Sequence, residues 1–287
     1  PGTENGVTFT DALGRELTVA APPERVAVLI GSFADVWCLA GGKETITAAA
    51  DDTWTQFDLG LPDTVARLGA VKEPNIEVLL SVQPDLVLAS AKTEAAVDLL
   101  PTLEQAGIPV AYFDISSLED YLDMLDICTR LTGKPENYDR YGASVVEQVE
   151  AARLRAQGQE AASVLYVRAT GSSCKVKNSK GSVLGEMLAD LGAVNIADSE
   201  TSLLEELSME VILASDPDKI FIVMQGSDQE KVQNTLEQSL LSNPAWQQLT
   251  AVKAGEVYYM DQALYNVKPN ARWGEAYQGL ADILYGG

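Results

Sequence analysis

The sequence repeats one short pattern, once in each half of the chain. Both copies consist of a glutamate, three aliphatic residues, three variable residues, a Pro-Asp pair and the start of an apolar segment, and they span Glu77–Val87 and Glu210–Ile220. The pattern predicts a short helix, a Pro-Asp turn and a buried strand in each copy. A chain that builds the same unit twice is expected to form two similar lobes, with a ligand site in the cleft between them.

Charge and residue usage narrow the possible functions. The chain has 287 residues, of which 42 are acidic and 20 basic, and its net charge of −22 argues against nucleic acid or an anionic membrane as partner. It contains no histidine, which removes histidine-based catalysis and the usual zinc ligands. We therefore predict no catalytic residue, no metal site and no cofactor. An enzyme that uses carboxylates or Cys174 is the alternative, and no apolar run reaches membrane-spanning length.

Strand and helix patterns alternate along both halves, which predicts an α/β fold with mostly parallel sheets. We expect an N-terminal lobe over residues 1–134, a helix over 135–158 and a C-terminal lobe over 159–287. The helical pattern runs from Pro135 to about Gln157, and about 22 residues of helix would span about 33 Å. That length suits a helix that joins two lobes, although a surface helix of a single domain would show the same pattern.

Two stretches of this acidic chain carry positive charge without any Asp or Glu. The first, residues 161–185, contains Arg168, Lys175, Lys177 and Lys180, and the second, residues 262–274, contains Lys268 and Arg272. Both lie at or just beyond the ends of predicted strands, where α/β sheets place their ligands. A local positive field suits an anionic ligand, whereas the alternative interpretation is an ordinary solvated basic loop.

Aromatic residues accompany these cations near predicted strand ends. Trp54, Tyr166, Tyr259, Tyr265 and Trp273 could form flat walls for a large, partly apolar ligand, or they could belong to the cores of the lobes. Trp54 fits a core least well, because its neighbours in residues 51–56 are Asp, Thr and Gln.

The repeated glutamates occupy equivalent places in the two copies. Glu77 follows Asn75 and Glu210 follows Ser208, so each acid lies in the first turn of a helix with a good N-cap residue. An acid there stabilises a helix by about 0.3–1 kcal/mol through the helix dipole, which is a sufficient structural reason for it. A pair of equivalent carboxylates could also bind two arginines of a symmetric partner.

A series of short segments, in this order, resembles one known family over nearly the whole chain. The chain is similar to the class III substrate-binding proteins of ABC importers, which capture ferric siderophores, haem or cobalamin outside the cytoplasmic membrane. The segments that carry the resemblance are Phe9–Glu16, Pro23–Val26, Leu68–Gly69, Pro74–Glu77, Gln83–Val87, Leu191–Asn195, Met209–Glu210, Asp216–Asp218, Ala245–Trp246 and Ala251–Tyr258.

The resemblance implies two Rossmann-like lobes with mostly parallel sheets, joined by one long helix, and modest closure on binding. It implies that Glu77 and Glu210 dock to arginines of the permease dimer. It also implies an extracytoplasmic protein, either periplasmic or attached to the membrane only through a lipid anchor. The family's ligand residues differ between subfamilies, and the absence of histidine departs from haem binders that ligate iron through histidine.

We therefore predict a non-catalytic capture protein that holds an iron complex, siderophore or haem-like, in the inter-lobe cleft and delivers it to the permease. A corrinoid is the second ligand, and an oxyanion of the molybdate type is the third. A pure interaction module without a small ligand is a further alternative. The predicted ligand-binding residues are Trp54, Tyr166, Arg168, Lys175, Lys177, Tyr259, Tyr265, Lys268, Arg272 and Trp273.

Overall fold

The structure, a computed structural model, describes residues 6–286. The chain divides into two compact units, one ending at Ser144 and the other beginning at Val145. Within residues 6–286, none of the helices combines the length and apolar character that a membrane span requires.

The first unit alternates strands and helices, as the sequence predicts. Its strands are β1 Gly6–Thr10, β2 Glu16–Ala20, β3 Val26–Val28, β4 Ile46–Ala49, β5 Ala66–Arg67, β6 Leu86–Ser90 and β7 Val110–Phe113. Its helices are α1 Gly31–Leu39, α2 Asp52–Thr55, α3 Ile76–Ser81, α4 Glu94–Val97, α5 Leu100–Gln105, α6 Leu118–Thr132 and α7 Glu136–Tyr138. The sheet has the order β5-β4-β3-β6-β7 and all its pairs are parallel, while β1 and β2 form a separate hairpin.

The second unit repeats the alternation after helix α8, Ser144–Ala156. Its strands are β8 Ser163–Ala169, β9 Cys174–Lys177, β10 Val194–Asn195, β11 Lys219–Met224 and β12 Val257–Met260. Its further helices are α9 Val183–Asp190, α10 Met209–Ser215, α11 Gln229–Leu236, α12 Thr250–Lys253, α13 Gln262–Tyr265 and α14 Trp273–Tyr285. The parallel order is β10-β8-β11-β12, and β9 pairs antiparallel with β8. The predicted α/β class with mostly parallel sheets is thus confirmed.

The repeated sequence pattern folds into the same local structure in both units. Each copy ends its helix with a residue in the left-handed region directly before proline, Gln83 with φ 47° and Asp216 with φ 41°. The aspartate after the proline then accepts backbone N–H bonds at the start of the neighbouring strand. Asp85 accepts from Glu24 and Arg25 before β3, and Asp218 accepts from Ser163 of β8. The Pro-Asp pair therefore fixes one parallel strand against the next in each unit.

The long helical pattern of the sequence is interrupted in one place. Helix α7 and helix α8 form one run from Glu136 to Ala156, with a π-helical turn at Asp139–Ala143 between them. The hydroxyl of Tyr121 on α6 donates to the carbonyl of Tyr141 in this turn at 2.7 Å, which engages a carbonyl oxygen of the widened turn. The division into two units falls directly after the π turn.

Candidate ligand site

Three cations lie on one face of the hairpin formed by β8 and β9. Arg168 is directly opposite Lys175, and Tyr166 is directly opposite Lys177. Side chains two apart on a strand and directly opposite across an antiparallel pair share a face, so Arg168, Lys175 and Lys177 lie together. The intervening Val167 and Val176 turn the other way, into the hydrophobic core of the second unit. We call Arg168, Lys175 and Lys177 the cation cluster.

The cation cluster has no counter-charge of its own. Among residues 6–286, no carboxylate lies within ion-pair distance of its three members, and Arg168 Nε is buried without a hydrogen-bond partner. Burial lowers the pKa of Lys177, and the positive charges of Arg168 and Lys175 lower it further. Like charges placed opposite each other destabilise a sheet, so the arrangement favours an anion bound from outside the chain.

The cation cluster adjoins the carboxyl edge of the parallel sheet. Arg168 is the last residue but one of β8, and the carboxyl ends of β11 and β12 lie alongside in the same sheet. Ligands of open α/β sheets bind at this edge. The structure therefore brings the predicted cations of the first acid-free stretch to the place where the fold can use them.

Tyr259 lies at the same edge but on the opposite face of the sheet. It pairs with Ile222, which pairs in turn with Val167, so its side chain projects with the core rather than with Arg168. Its ring is 54 % exposed and lines a cavity of about 340 Å³ together with Met224 and Gln262. Tyr259 is thus accessible to a ligand, although on the face of this sheet opposite to the cation cluster.

Three of the predicted aromatic contacts are core residues in this structure. Tyr166 and Trp273 have no exposed surface, and Tyr265 is 5 % exposed. The Tyr265 hydroxyl donates to the carbonyl of Ala276, which fixes α13 against α14. Burial raises the pKa of Tyr265 to about 12. These rings present almost no surface to a ligand in this structure.

Arg272, in the second acid-free stretch, is paired with a carboxylate from the next turn of the chain. Arg272 donates from Nε and Nη2 to the two carboxylate oxygens of Glu275, both at 2.8 Å, and the two side chains are about half exposed. The hydrogen bonds that Arg272 donates to Glu275 raise the pKa of Arg272. Lys268 is half-buried in the turn before it. Glu275 lies one residue beyond the window, so counting acids inside the window did not reveal this pairing.

In the first unit, Trp54 is half-buried on α2, next to the carboxyl end of β4. The guanidinium of Arg67, at the carboxyl end of β5, lies 4.1 Å from the centroid of the Trp54 ring. Arg67 also approaches Asp51, with 3.9 Å between Nη1 and Oδ1. Sequence reasoning missed Arg67, and the signal available was a cation directly after the apolar pair Val65 and Ala66.

Replacing Arg67 with Ala should change the fluorescence of Trp54. We expect emission at longer wavelength, because the guanidinium covers one part of the ring and its removal admits water. Emission spectra of the two proteins test this, since Trp37, Trp246 and Trp273 are buried and should not respond. The same spectrum in Arg130→Ala, which removes an exposed arginine of the first unit, is the control. Unchanged emission in Arg67→Ala would contradict the stacking.

Glu77 and Glu210 have the same local environment in the two units. Each is exposed and is the second residue of its helix, and the N-cap side chain before it, Asn75 or Ser208, accepts the backbone N–H of the residue after it. Within the described part of the chain, neither carboxylate has an ion pair or hydrogen bond. The two glutamates are therefore available to a partner.

Neither thiol chemistry nor a metal cluster is evident in the described residues. Cys38, Cys128 and Cys174 are free, and burial is the main cause that raises the pKa of each thiol, that of Cys174 to about 11. No group of three acidic, cysteine or histidine residues within 6–286 is placed to hold a metal ion. Burial thus favours the protonated, less nucleophilic form of each thiol.

Known proteins share both the sequence pattern and the fold. The sequence profile of the periplasmic binding protein family matches residues 26–264. The chain belongs to this family. It is 26 % identical to the Fe(3+)-citrate-binding protein YfmC of Bacillus subtilis, over 85 % of this chain and 75 % of that protein. It is also 26 % identical to a cobalamin-binding protein of Halobacterium salinarum, over 94 % of this chain and 74 % of that one.

A solved structure gives the same result for the fold. The periplasmic heme-binding protein RhuT from Roseiflexus sp. RS-1 superposes with a TM-score of 0.72 at 22 % identity, covering 91 % of this chain and 98 % of that one. This family member is therefore a two-lobed, class III binding protein. It is the substrate-binding component of an ABC transporter, in the class that serves iron complexes, haem and cobalamin, and it is a transport protein rather than an enzyme.

Proposed function

We propose that this protein captures an anionic iron chelate, of the ferric citrate type, and delivers it to an ABC permease. The observation that carries the proposal is the cation cluster, in which Arg168, Lys175 and Lys177 share one face without a carboxylate among residues 6–286 to neutralise them. In a protein of net charge −22, a local field of this sign is what an anionic ligand requires. The similarity to an Fe(3+)-citrate-binding relative supports the same choice.

A corrinoid and a haem-like ligand each account for fewer features of this chain than an anionic chelate does. A corrinoid would use an accessible ring such as that of Tyr259 but would leave three like charges uncompensated. A haem-like ligand would use the cations, but the chain has no histidine to ligate its iron. A complete chelate needs no protein ligand to its metal.

Replacing Arg168 with Gln should weaken ferric citrate binding by about 10- to 150-fold. A hydrogen bond to a charged group contributes about 1.5–3 kcal/mol, and loss of one such bond gives this range. Calorimetric titration of ferric citrate into the wild type and the variant measures it. Lys253→Gln is the matched control, because Lys253 is exposed in the same unit but precedes the amino end of β12. Equal affinities for wild type and Arg168→Gln would refute the proposal.

Ferric citrate binding should also weaken as the pH rises through the lowered pKa of Lys177. Below that pKa Lys177 is charged and attracts the anion, and above it the amine is neutral and the attraction is lost. Bound anion favours the charged form, so binding should be accompanied by proton uptake in this range. Affinity measured against pH in wild type and Lys177→Gln tests this, since the iron chemistry is the same for both. Identical pH profiles would contradict it.

Delivery to the permease would use the two repeated glutamates. Glu77 and Glu210 are exposed, unpaired in residues 6–286 and alike in local geometry, which suits two equivalent cationic groups on a symmetric permease dimer. Such a protein works outside the cytoplasmic membrane, either free or lipid-anchored, and its net charge of −22 disfavours direct binding to anionic lipid.

A further inference from the structure

Tyr166 lies on the face of the β8–β9 hairpin that carries the cation cluster. It is two residues before Arg168 on β8, and in the sheet it lies between Phe221 of β11 and Lys177 of β9. Its side chain has no exposed surface. A phenylalanine would fill the same space, so packing explains the ring of Tyr166 but not its hydroxyl.

The hydroxyl of Tyr166 accepts a hydrogen bond from the cation cluster. Arg168 Nη2 donates to Tyr166 Oη at 3.3 Å, and within residues 6–286 this is the one hydrogen bond that the guanidinium makes. Burial raises the pKa of Tyr166 and the positive charge of Arg168 lowers it, which agrees with direct contact between the two groups. Tyr166 therefore restrains the end of the Arg168 side chain.

Without this restraint, we expect Arg168 to turn away from the other two cations. It is directly opposite Lys175, its charge also acts on Lys177, and like charges repel each other. An arginine side chain that is released also gains rotamer entropy. Burial is the main cause that lowers the pKa of Lys177, and the charge of Arg168 is the next. This pKa therefore reports whether the guanidinium stays close to the amine.

We propose that the hydroxyl of Tyr166 is a positioning group, which holds the Arg168 guanidinium beside Lys175 and Lys177 and so keeps the three cations together on one face for an anion. Tyr166 acts through Arg168 and does not itself contact the ligand. The positioning of Arg168 is independent of the proposed function, whereas its effect on ferric citrate binding rests on that function.

Tyr166→Phe tests the positioning, because it removes the hydroxyl and keeps the ring. The pKa of Lys177 should rise towards its ordinary value, since the positive charge of Arg168 is no longer held near the amine. An NMR titration of the Cε signals in protein with carbon-13-labelled lysine measures this pKa, and Lys177→Gln assigns the signal. Arg168→Gln should raise the same pKa by removing the charge. Adding Tyr166→Phe to Arg168→Gln should raise it no further.

Tyr112→Phe is the matched control for the loss of a buried hydroxyl. Tyr112 is also a strand residue without exposed surface, and its hydroxyl donates to the carbonyl of Ala96 at 2.7 Å in the first unit. This variant should lower the free energy of unfolding but leave the pKa of Lys177 and the affinity for ferric citrate unchanged. The control thus separates a general loss of stability from the positioning of Arg168.

Calorimetric titration of ferric citrate measures the consequence for binding. Tyr166→Phe should weaken ferric citrate binding by about 2- to 10-fold, the range that corresponds to one net hydrogen bond, and should cause no further loss in Arg168→Gln. An unchanged Lys177 pKa in Tyr166→Phe, or an equal rise when Tyr166→Phe is added to Arg168→Gln, would overturn the positioning. A raised Lys177 pKa with unchanged ferric citrate affinity would support the positioning and contradict the proposed function instead.

Discussion

Reversal of both repeated glutamates, Glu77→Lys with Glu210→Lys, should abolish transport and leave ligand capture unchanged. Each carboxylate is exposed and unpaired within residues 6–286, so its replacement disturbs no internal contact. Placing a cation against a cationic partner costs several kcal/mol, and two such contacts correspond to a loss of more than about 100-fold in docking affinity. Uptake by cells that carry the cognate permease, and calorimetry on the free protein, measure the two quantities.

If these acids only stabilise their helices, their reversal should have a far smaller effect on transport. An acid in the first turn stabilises its helix by about 0.3–1 kcal/mol, and this contribution is lost in the variants whatever else the glutamates do. Glu230 provides the matched control, because it is also exposed, also the second residue of its helix and also follows a capping side chain, that of Asp228. Glu230→Lys should lose the same helix stabilisation and transport normally.

The two single variants test whether both glutamates contribute to docking. If both units dock, Glu77→Lys and Glu210→Lys should each reduce uptake substantially, and the double variant should lose more than either. Normal uptake by the double variant would remove docking from these residues and leave only the helix dipole to explain them. A loss of ligand affinity equal to the loss of uptake would place the defect in capture instead.

Local patterns predicted the alternation of elements because the signals are themselves local. The repeated helix, Pro-Asp turn and strand appeared in both units, since proline and the N-cap residues act within a few positions of themselves. The function of the aspartates in the turn was not predictable in this way. Asp85 and Asp218 bind the starts of strands 60 and 55 residues away in sequence, and such partners are set by the fold.

The residues of the candidate site could be predicted only in part, because sequence signals are local and the contacts of the site are set by the fold. A window without acids does identify Arg168, Lys175 and Lys177, but their position on one face depends on strand β9, which the pattern did not indicate. The burial of Tyr166 and Trp273 could not be predicted, because a buried ring and a ligand-facing ring can have the same sequence neighbours. The Arg67–Trp54 contact joins two strand ends, so it could be recognised only from the sheet.

Replacing Asp11 with Ala should lower the free energy of unfolding of the first unit by about 2–4 kcal/mol. The side chain of Asp11 has no exposed surface, and it accepts bonds from the backbone N–H groups of Leu13, Arg15 and Tyr112 and from the Arg15 guanidinium. Removing one partner of a buried pair leaves the other uncompensated, at a cost of about 3–5 kcal/mol, and the partial exposure of Arg15 reduces this. Urea unfolding should show a midpoint about 1–2 M lower.

The position of Asp11 explains why this one carboxylate contributes so much to the free energy of unfolding. It joins the β1–β2 hairpin to β7, the edge strand of the parallel sheet, so its loss weakens the attachment of the hairpin as well as the turn. Asp126→Ala, which breaks the exposed i, i+4 pair with Arg130, should cost only about 0.5 kcal/mol. If the two units unfold in separate transitions, only one should move in Asp11→Ala. A cost as small as that of Asp126→Ala would show that water replaces the bonds of Asp11, and that the hairpin is held by Phe9 packing against Phe113 instead.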